Sequence, residues 1–252
     1  MIVSNLICTV FIIYKWRWIF IFLKFIKNAI CSIVESILKI IYPDKCIVCH
    51  KIISEACDFG ICRECIKDFY IFNDDICRYD FESNNGFSMF LYNEPIRKII
   101  HKFKYDDFGY YAKVMGIKMG EFLLKQNLFS CDCIIPVPIH WKREKKRGFN
   151  QAEIMAREIS KILRVSMISD ALIRVKNTKP QFGLGKEERA KNIEGAFEVV
   201  KPEKFFGKDV LIIDDIYTTG TTIYECLKLI KNSGARNIYY FTLAATKEVK
   251  PD

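Results

Sequence analysis

Two adjacent carboxylates, Asp214 and Asp215, end the apolar run Val210-Leu211-Ile212-Ile213, and Thr218-Thr219-Gly220-Thr221-Thr222 follows at once. An apolar run of this kind predicts a strand buried on both faces. In open α/β sheets, ligands bind at the C-terminal ends of such strands. The helix predicted to begin after Gly220 offers free backbone N–H groups and the positive end of its dipole, both suited to a phosphate. Gly220 lets the backbone approach an anion closely, and the threonine hydroxyls add donors. Carboxylates accept hydrogen bonds, so Asp214 and Asp215 suit sugar hydroxyls. The segment therefore reads as a cradle for a 5-phosphorylated ribose. A helix cap alone needs one threonine, not four around a glycine. A magnesium-binding strand of a P-loop enzyme would need a GxxxxGK[ST] loop elsewhere. The nearest match, Gly183-Leu184-Gly185-Lys186, has Pro180 and Glu187 at two of the required positions.

A second chemistry lies in the cysteines. Cys46 and Cys49 form one CxxC pair, Cys62 and Cys65 another, separated by 12 residues. Four thiolates at this spacing suit a closed, tetrahedral structural zinc site. Cys57 and His50 are possible substitute ligands with poorer spacing, and Cys77 stands alone in Cys-Arg-Tyr-Asp, too few ligands for a second metal site. The chain has 11 cysteines, an odd number. The remainder are scattered singly and read as small buried hydrophobes in a reducing compartment.

A third cluster is cationic. Lys142, Arg143, Lys145, Lys146 and Arg147 follow the apolar strand predicted at Cys133 to Ile139, and can stabilise negative charge on a bound anion. The alternative is a solvated basic face or a nucleic-acid patch. The net charge of +9 favours anionic partners without choosing among them.

These residues need a frame to position them. The 252 residues suffice for one α/β domain and a small appendage. Residues 1–42 are apolar and predicted helical up to Pro43. Residues 43–81 are loop-rich and cysteine-bearing, and residues 87–247 alternate strands with helices. Strands are predicted at Phe87–Tyr92, Ala171–Val175, Asp209–Ile213 and Asn237–Ala244. Helices are predicted at Glu94–Phe103, Tyr110–Lys125, Asn150–Leu163 and Thr221–Asn232, and a polar mobile loop spans Asn177–Gly195. The expected fold is a parallel sheet flanked by helices, preceded by a zinc-ribbon-like module.

The N-terminal stretch Leu6 to Phe25 is interrupted by Lys15, Arg17 and Lys24, and no A-x-A-like cleavage site follows it. It reads as an interfacial helix, a degenerate membrane anchor, or an extension packed on the domain or added by an upstream start. The expected location is the cytoplasm, with peripheral inner-membrane contact through residues 1–30 as the alternative.

The Thr/Gly segment resembles the signature loop of type I phosphoribosyltransferases. The wider chain, from about Ile37 to Ala245, resembles the ComF family, phosphoribosyltransferase-like proteins linked to competence for DNA uptake. Both CxxC pairs, the segment IIPVPIHWKREKKRGFNQA from Ile134 and KNTKPQFGLGKEERAKNIEGAF from Lys176 carry that likeness. The resemblance implies a type I phosphoribosyltransferase fold with an N-terminal zinc ribbon. It implies phosphoribosyl pyrophosphate as ligand, accompanied by magnesium. It puts the ribose and phosphate loop at Asp214, Asp215, Thr218, Thr219, Gly220, Thr221 and Thr222. The pyrophosphate turn falls at Pro138, Ile139 and His140, with Arg147 beside it. The covering loop falls at Lys176 to Gly195, with Gln181, Lys186, Arg189 and Asn192 as closing residues. Single-stranded DNA or competence proteins are implied partners. Two functions follow: phosphoribosyl transfer, or a non-catalytic ligand-sensing or DNA-handling adaptor that keeps the phosphate site.

Overall fold

The computed structural model describes residues 43, 45–46, 48–53, 61–67, 79–81, 84–105, 109–126, 130–178 and 185–246. The expectations for residues 1–42, Cys57, Cys77 and Gln181 lie outside them. Strands β1 (Tyr79–Phe81) and β2 (Asn84–Leu91) are followed by helices α2 (Glu94–Tyr105) and α3 (Tyr110–Gln126); the short α1 (Arg63–Ile66) precedes them. Then come β3 (Cys133–Pro136), α4 (Trp141–Arg147), α5 (Gln151–Leu163), β4 (Ser166–Met167) and β5 (Leu172–Arg174). The chain continues through α6 (Lys186–Ile193), β6 (Phe197–Val199), β7 (Asp209–Tyr217), α7 (Thr221–Asn232) and β8 (Asn237–Ala245).

Five strands form a parallel sheet in the order β2-β8-β7-β3-β4, and β1 adds antiparallel to the β2 edge. Its centre is hydrophobic on both faces. Leu211 and Ile213 of β7 join one core with Met115, Met155 and Ile159, while Val210 and Ile212 join the other with Ile223, Leu227 and Ile230. Alternate residues of a strand point to opposite faces, so an unbroken apolar run serves two cores at once. Helices α3 and α5 thus cover one face and α7 the other.

The elements differ from the sequence reading at several places: β1, β4 and β6 are added, β7 runs on through Asp214 and Asp215 to Tyr217, and three further differences bear on the site. The basic run is a helix, because His140 caps it by accepting a hydrogen bond from Lys142 N and Gly148, at φ 88°, ends it in the left-handed region. The second half of the expected mobile loop is α6, where the Glu188 carboxylate accepts from Gly185 N at 2.9 Å, the side-chain-to-N-cap half of a capping box. Strand β5 leaves the parallel sheet and pairs antiparallel with β6, making a small separate sheet. Among the described residues no helix is long and apolar enough to cross a membrane.

Helix α3 meets α5 closely at Gly116, where a Cβ would lie 2.7 Å from Met155 Cα and 2.8 Å from Met155 O. Both obstacles are backbone, so neither can swing aside. Gly116→Val therefore destabilises the protein by about 1–3 kcal/mol through overpacking, seen as a lower urea midpoint in zinc-loaded protein.

Candidate functional site

The site forms where β3 and β7 lie side by side. Their register pairs Cys133 with Val210 and Pro136 with Ile213. Beyond β3 the chain moves outward to β4, whereas beyond β7 it moves the other way to β8. Such a reversal leaves a crevice at the C-terminal strand ends. Val137 N donates to Ile213 O at 2.9 Å, which seats the Pro138-Ile139-His140 turn directly beside the carboxylates. His140 is buried, and its Nδ1 is occupied as the α4 cap.

The two aspartates have different surroundings. Asp215 is buried and accepts from Gln151 Nε2 at 3.1 Å. Asp214 is half-buried, and its Oδ1 accepts from Asp215 N at 2.8 Å. Gln151 in turn accepts from Arg147 Nη1 at 2.5 Å. The Arg147–Gln151 segment therefore links the basic helix to the acid pair. Asn150 holds that link in place: it caps α5 through Ala152 N and donates to Val137 O at 3.1 Å.

The threonine loop opens α7. Gly220 sits at its N-cap with φ 73°, a conformation that favours glycine, and no side chain caps the helix. A Cβ there would lie 2.3 Å from the Tyr217 hydroxyl oxygen. Thr219 and Thr221 hydroxyls lie 2.8 Å apart, and Thr218, Thr219, Thr221 and Thr222 are each half-buried. The helix start thus presents N–H groups and hydroxyls to one place, suited to an anion.

On α4 the five cations divide. Lys142, Lys145 and Lys146 are exposed, whereas Arg143 and Arg147 are half-buried. Residues four apart share a helix face, so only the arginines turn inward. The backbone of Lys186 and Arg189 lies in α6. Arg174, which the sequence reading did not single out, joins the site from β5. Its Nη2 donates to Thr178 Oγ1 at 2.6 Å, its guanidinium lies over the Phe197 ring at 5.2 Å, and Arg143 Nη2 donates to Thr178 O. An arginine closing an otherwise apolar strand, Leu172-Ile173-Arg174, was the available signal.

The cysteines form a separate centre. The sulfurs of Cys46, Cys49, Cys62 and Cys65 all lie within 4.8 Å of one another, with Cys49 and Cys62 3.7 Å apart. A tetrahedron with zinc–sulfur bonds of about 2.3 Å has sulfurs about 3.8 Å apart, so the residues fit the metal. Cys62 N donates to Cys46 Sγ at 3.3 Å and Cys65 N to Cys62 Sγ at 3.5 Å. Burial opposes ionisation of Cys46, but N–H groups of Cys49, Cys62 and Val48 outweigh it and bring the thiol down to about 6. Burial and the neighbouring thiols push Cys65 the other way. Four thiols this close need a cation before all can ionise. The ribbon shares its core with the main domain: Cys46 and Ile61 are buried with Ile96, Ile99 and Ile100. Elsewhere Cys133 and Cys226 are buried in the opposite core, and burial raises the Cys133 thiol to about 11. Cys62→Ser lowers bound zinc by about one ion per chain, measured by elemental analysis, and lowers the melting temperature.

Residues 145–251 match the phosphoribosyl transferase domain family, and residues 37–79 match the double zinc ribbon domain family. Competence protein F of Haemophilus influenzae is 30% identical over 158 residues, which cover 61% of this chain and 69% of that protein. Competence protein ComFC of Bacillus subtilis is 28% identical over 237 residues, covering 90% of this chain and 88% of the relative. DNA utilization protein YhgH of Escherichia coli K12 is 28% identical over 159 residues, covering 62% and 69%. A parallel sheet flanked by helices, a four-cysteine zinc site ahead of it and these relatives together place the chain in the ComF family.

Proposed function

We propose that the crevice between β3 and β7 binds phosphoribosyl pyrophosphate, and that the protein transfers its phosphoribosyl group in a process linked to DNA uptake. The observation that carries this reading is the uncapped helix start at Gly220, set one loop beyond two carboxylates and beside the Pro138 turn. In this reading the α7 N-terminus and the hydroxyls of Thr218, Thr219, Thr221 and Thr222 receive the 5′-phosphate. Asp214 and Asp215 accept from the ribose hydroxyls, and Gln151 keeps Asp215 oriented. The Pro138-Ile139-His140 turn and Arg147 receive the pyrophosphate, with Lys186 and Arg189 closing from α6. Transfer breaks the bond from ribose C1 to the pyrophosphate oxygen and forms one from C1 to a nucleophile, which loses its proton. Negative charge grows on the departing pyrophosphate, where fixed cations stabilise it. Magnesium would supply further charge neutralisation there, with the acid pair as the hard oxygen donors nearest the ligand.

The names of the relatives support the link to competence and DNA utilization. The cytoplasm is the compartment this role and the free thiols suit. A non-catalytic adaptor shares the binding step and differs in turnover. Calorimetry with phosphoribosyl pyrophosphate and magnesium tests binding, and a pyrophosphate-release assay against bases and amines tests transfer. Release supports transfer, binding without release supports the adaptor, and no binding by zinc-loaded protein overturns the reading. Gly220→Ala, which drives a Cβ into Tyr217, weakens ribose 5-phosphate binding about tenfold or more, read by the same calorimetry.

A further inference from the structure

Arg143 and Arg174 come from distant parts of the chain, one on α4 and one on the small β5–β6 sheet. Both guanidiniums nevertheless bond to a single residue: Arg143 to the Thr178 carbonyl oxygen, Arg174 to the Thr178 hydroxyl oxygen. Two positive heads are thereby held at one residue by oxygens that carry no net charge. Arginine does not shed its proton to relieve this. The repulsion is felt: burial first, then Arg143, hold Arg174 below its ordinary value, and Asp214 acts in the opposite sense. Arg174 has one guanidinium face on Phe197 and Nη2 on Thr178. Its Nε is sealed from solvent and, among the described residues, has no hydrogen-bond partner. Buried donors in native proteins are almost always satisfied, so such an atom calls for an acceptor.

We propose that Arg143 and Arg174 form a two-guanidinium oxyanion site that bridges the basic helix and the small sheet beside Asp214. A phosphate-type or carboxylate group fits, because guanidinium forks match planar and tetrahedral oxyanions and two forks can share one group. The oxyanion has two sources, the pyrophosphate of phosphoribosyl pyrophosphate or an anionic group on the acceptor. The site's chemistry stands on the arginines themselves, whereas the choice of source rests on the function proposed above. Arg143 lies inward of the exposed lysines of its own helix, so this site is distinct from the solvated cations around it.

Calorimetry on the zinc-loaded full chain tests it, with wild type, Arg143→Gln, Arg174→Gln and Arg174→Lys compared. Three titrations are run: ribose 5-phosphate alone, magnesium pyrophosphate, and inorganic phosphate onto protein saturated with phosphoribosyl pyrophosphate. Each glutamine variant weakens pyrophosphate binding about tenfold or more, the loss of one charge-assisted pair, and leaves ribose 5-phosphate within about twofold. Arg174→Lys falls between, since it keeps the charge and loses the fork. Weakened inorganic phosphate with unchanged pyrophosphate assigns the site to the acceptor's anion. Should Arg174→Gln fail to fold, Arg143→Gln on α4 decides alone. Both anions binding to the folded variants as to wild type, or neither binding wild type, overturns the site. Failure of ribose 5-phosphate to bind wild type counts against the cradle instead and leaves the anion titrations readable.

Discussion

The parallel pairing of β3 with β7 is the constraint on which everything else in the crevice depends. Backbone groups inside a sheet must find partners, so the register that matches Cys133 with Val210 also fixes where both strands run out. β3 then delivers the Pro138 turn, and β7, with Asp214 and Asp215 near its C-terminal end, delivers the Thr218–Gly220 loop to the same edge. Reversal of strand order at this pair leaves the space between them uncovered by a direct crossover. The apolar alternation along β7 keeps the strand in place, because a one-residue slip would exchange the two cores it serves.

A polar relay sits on that scaffold. Asn150 ties the β3 exit to the start of α5, Gln151 reaches Asp215, and Arg147 reaches Gln151. Each contact is a single hydrogen bond of modest net worth. Together they orient the buried Asp215 carboxylate through Gln151 and couple the basic helix to the acid pair. The α4 sequence alone shows five cations, but the half-buried arginines and the exposed lysines divide by helix face. Charge is thus aimed inward at a few positions and left to solvent at the rest.

The zinc ribbon solves a different problem. Its described residues contribute little apolar surface, yet Cys46 and Ile61 are buried against α2 in the main core. Metal ligation supplies the local order that a small core does not. The same thiols therefore fix the ribbon internally and present its apolar residues to the domain.

The chain alone carries the alternation of strands and helices, the apolar run of β7, the helix beginning at Thr221 and the four zinc-spaced cysteines, but not the continuation of β7 through Asp214 and Asp215 to Tyr217 beside β8. These are local signals, carried by periodicity, caps and spacing over a few residues. Strand order, the convergence of Arg143 and Arg174 on Thr178, and the Gln151–Asp215 bond were decided only in the tertiary structure. Gln151 and Asp215 are 64 residues apart, and such contacts leave no periodic trace in the chain. The small β5–β6 sheet was illegible for the same reason: β6 is three residues long, too short for a pattern, and takes its conformation from its partner.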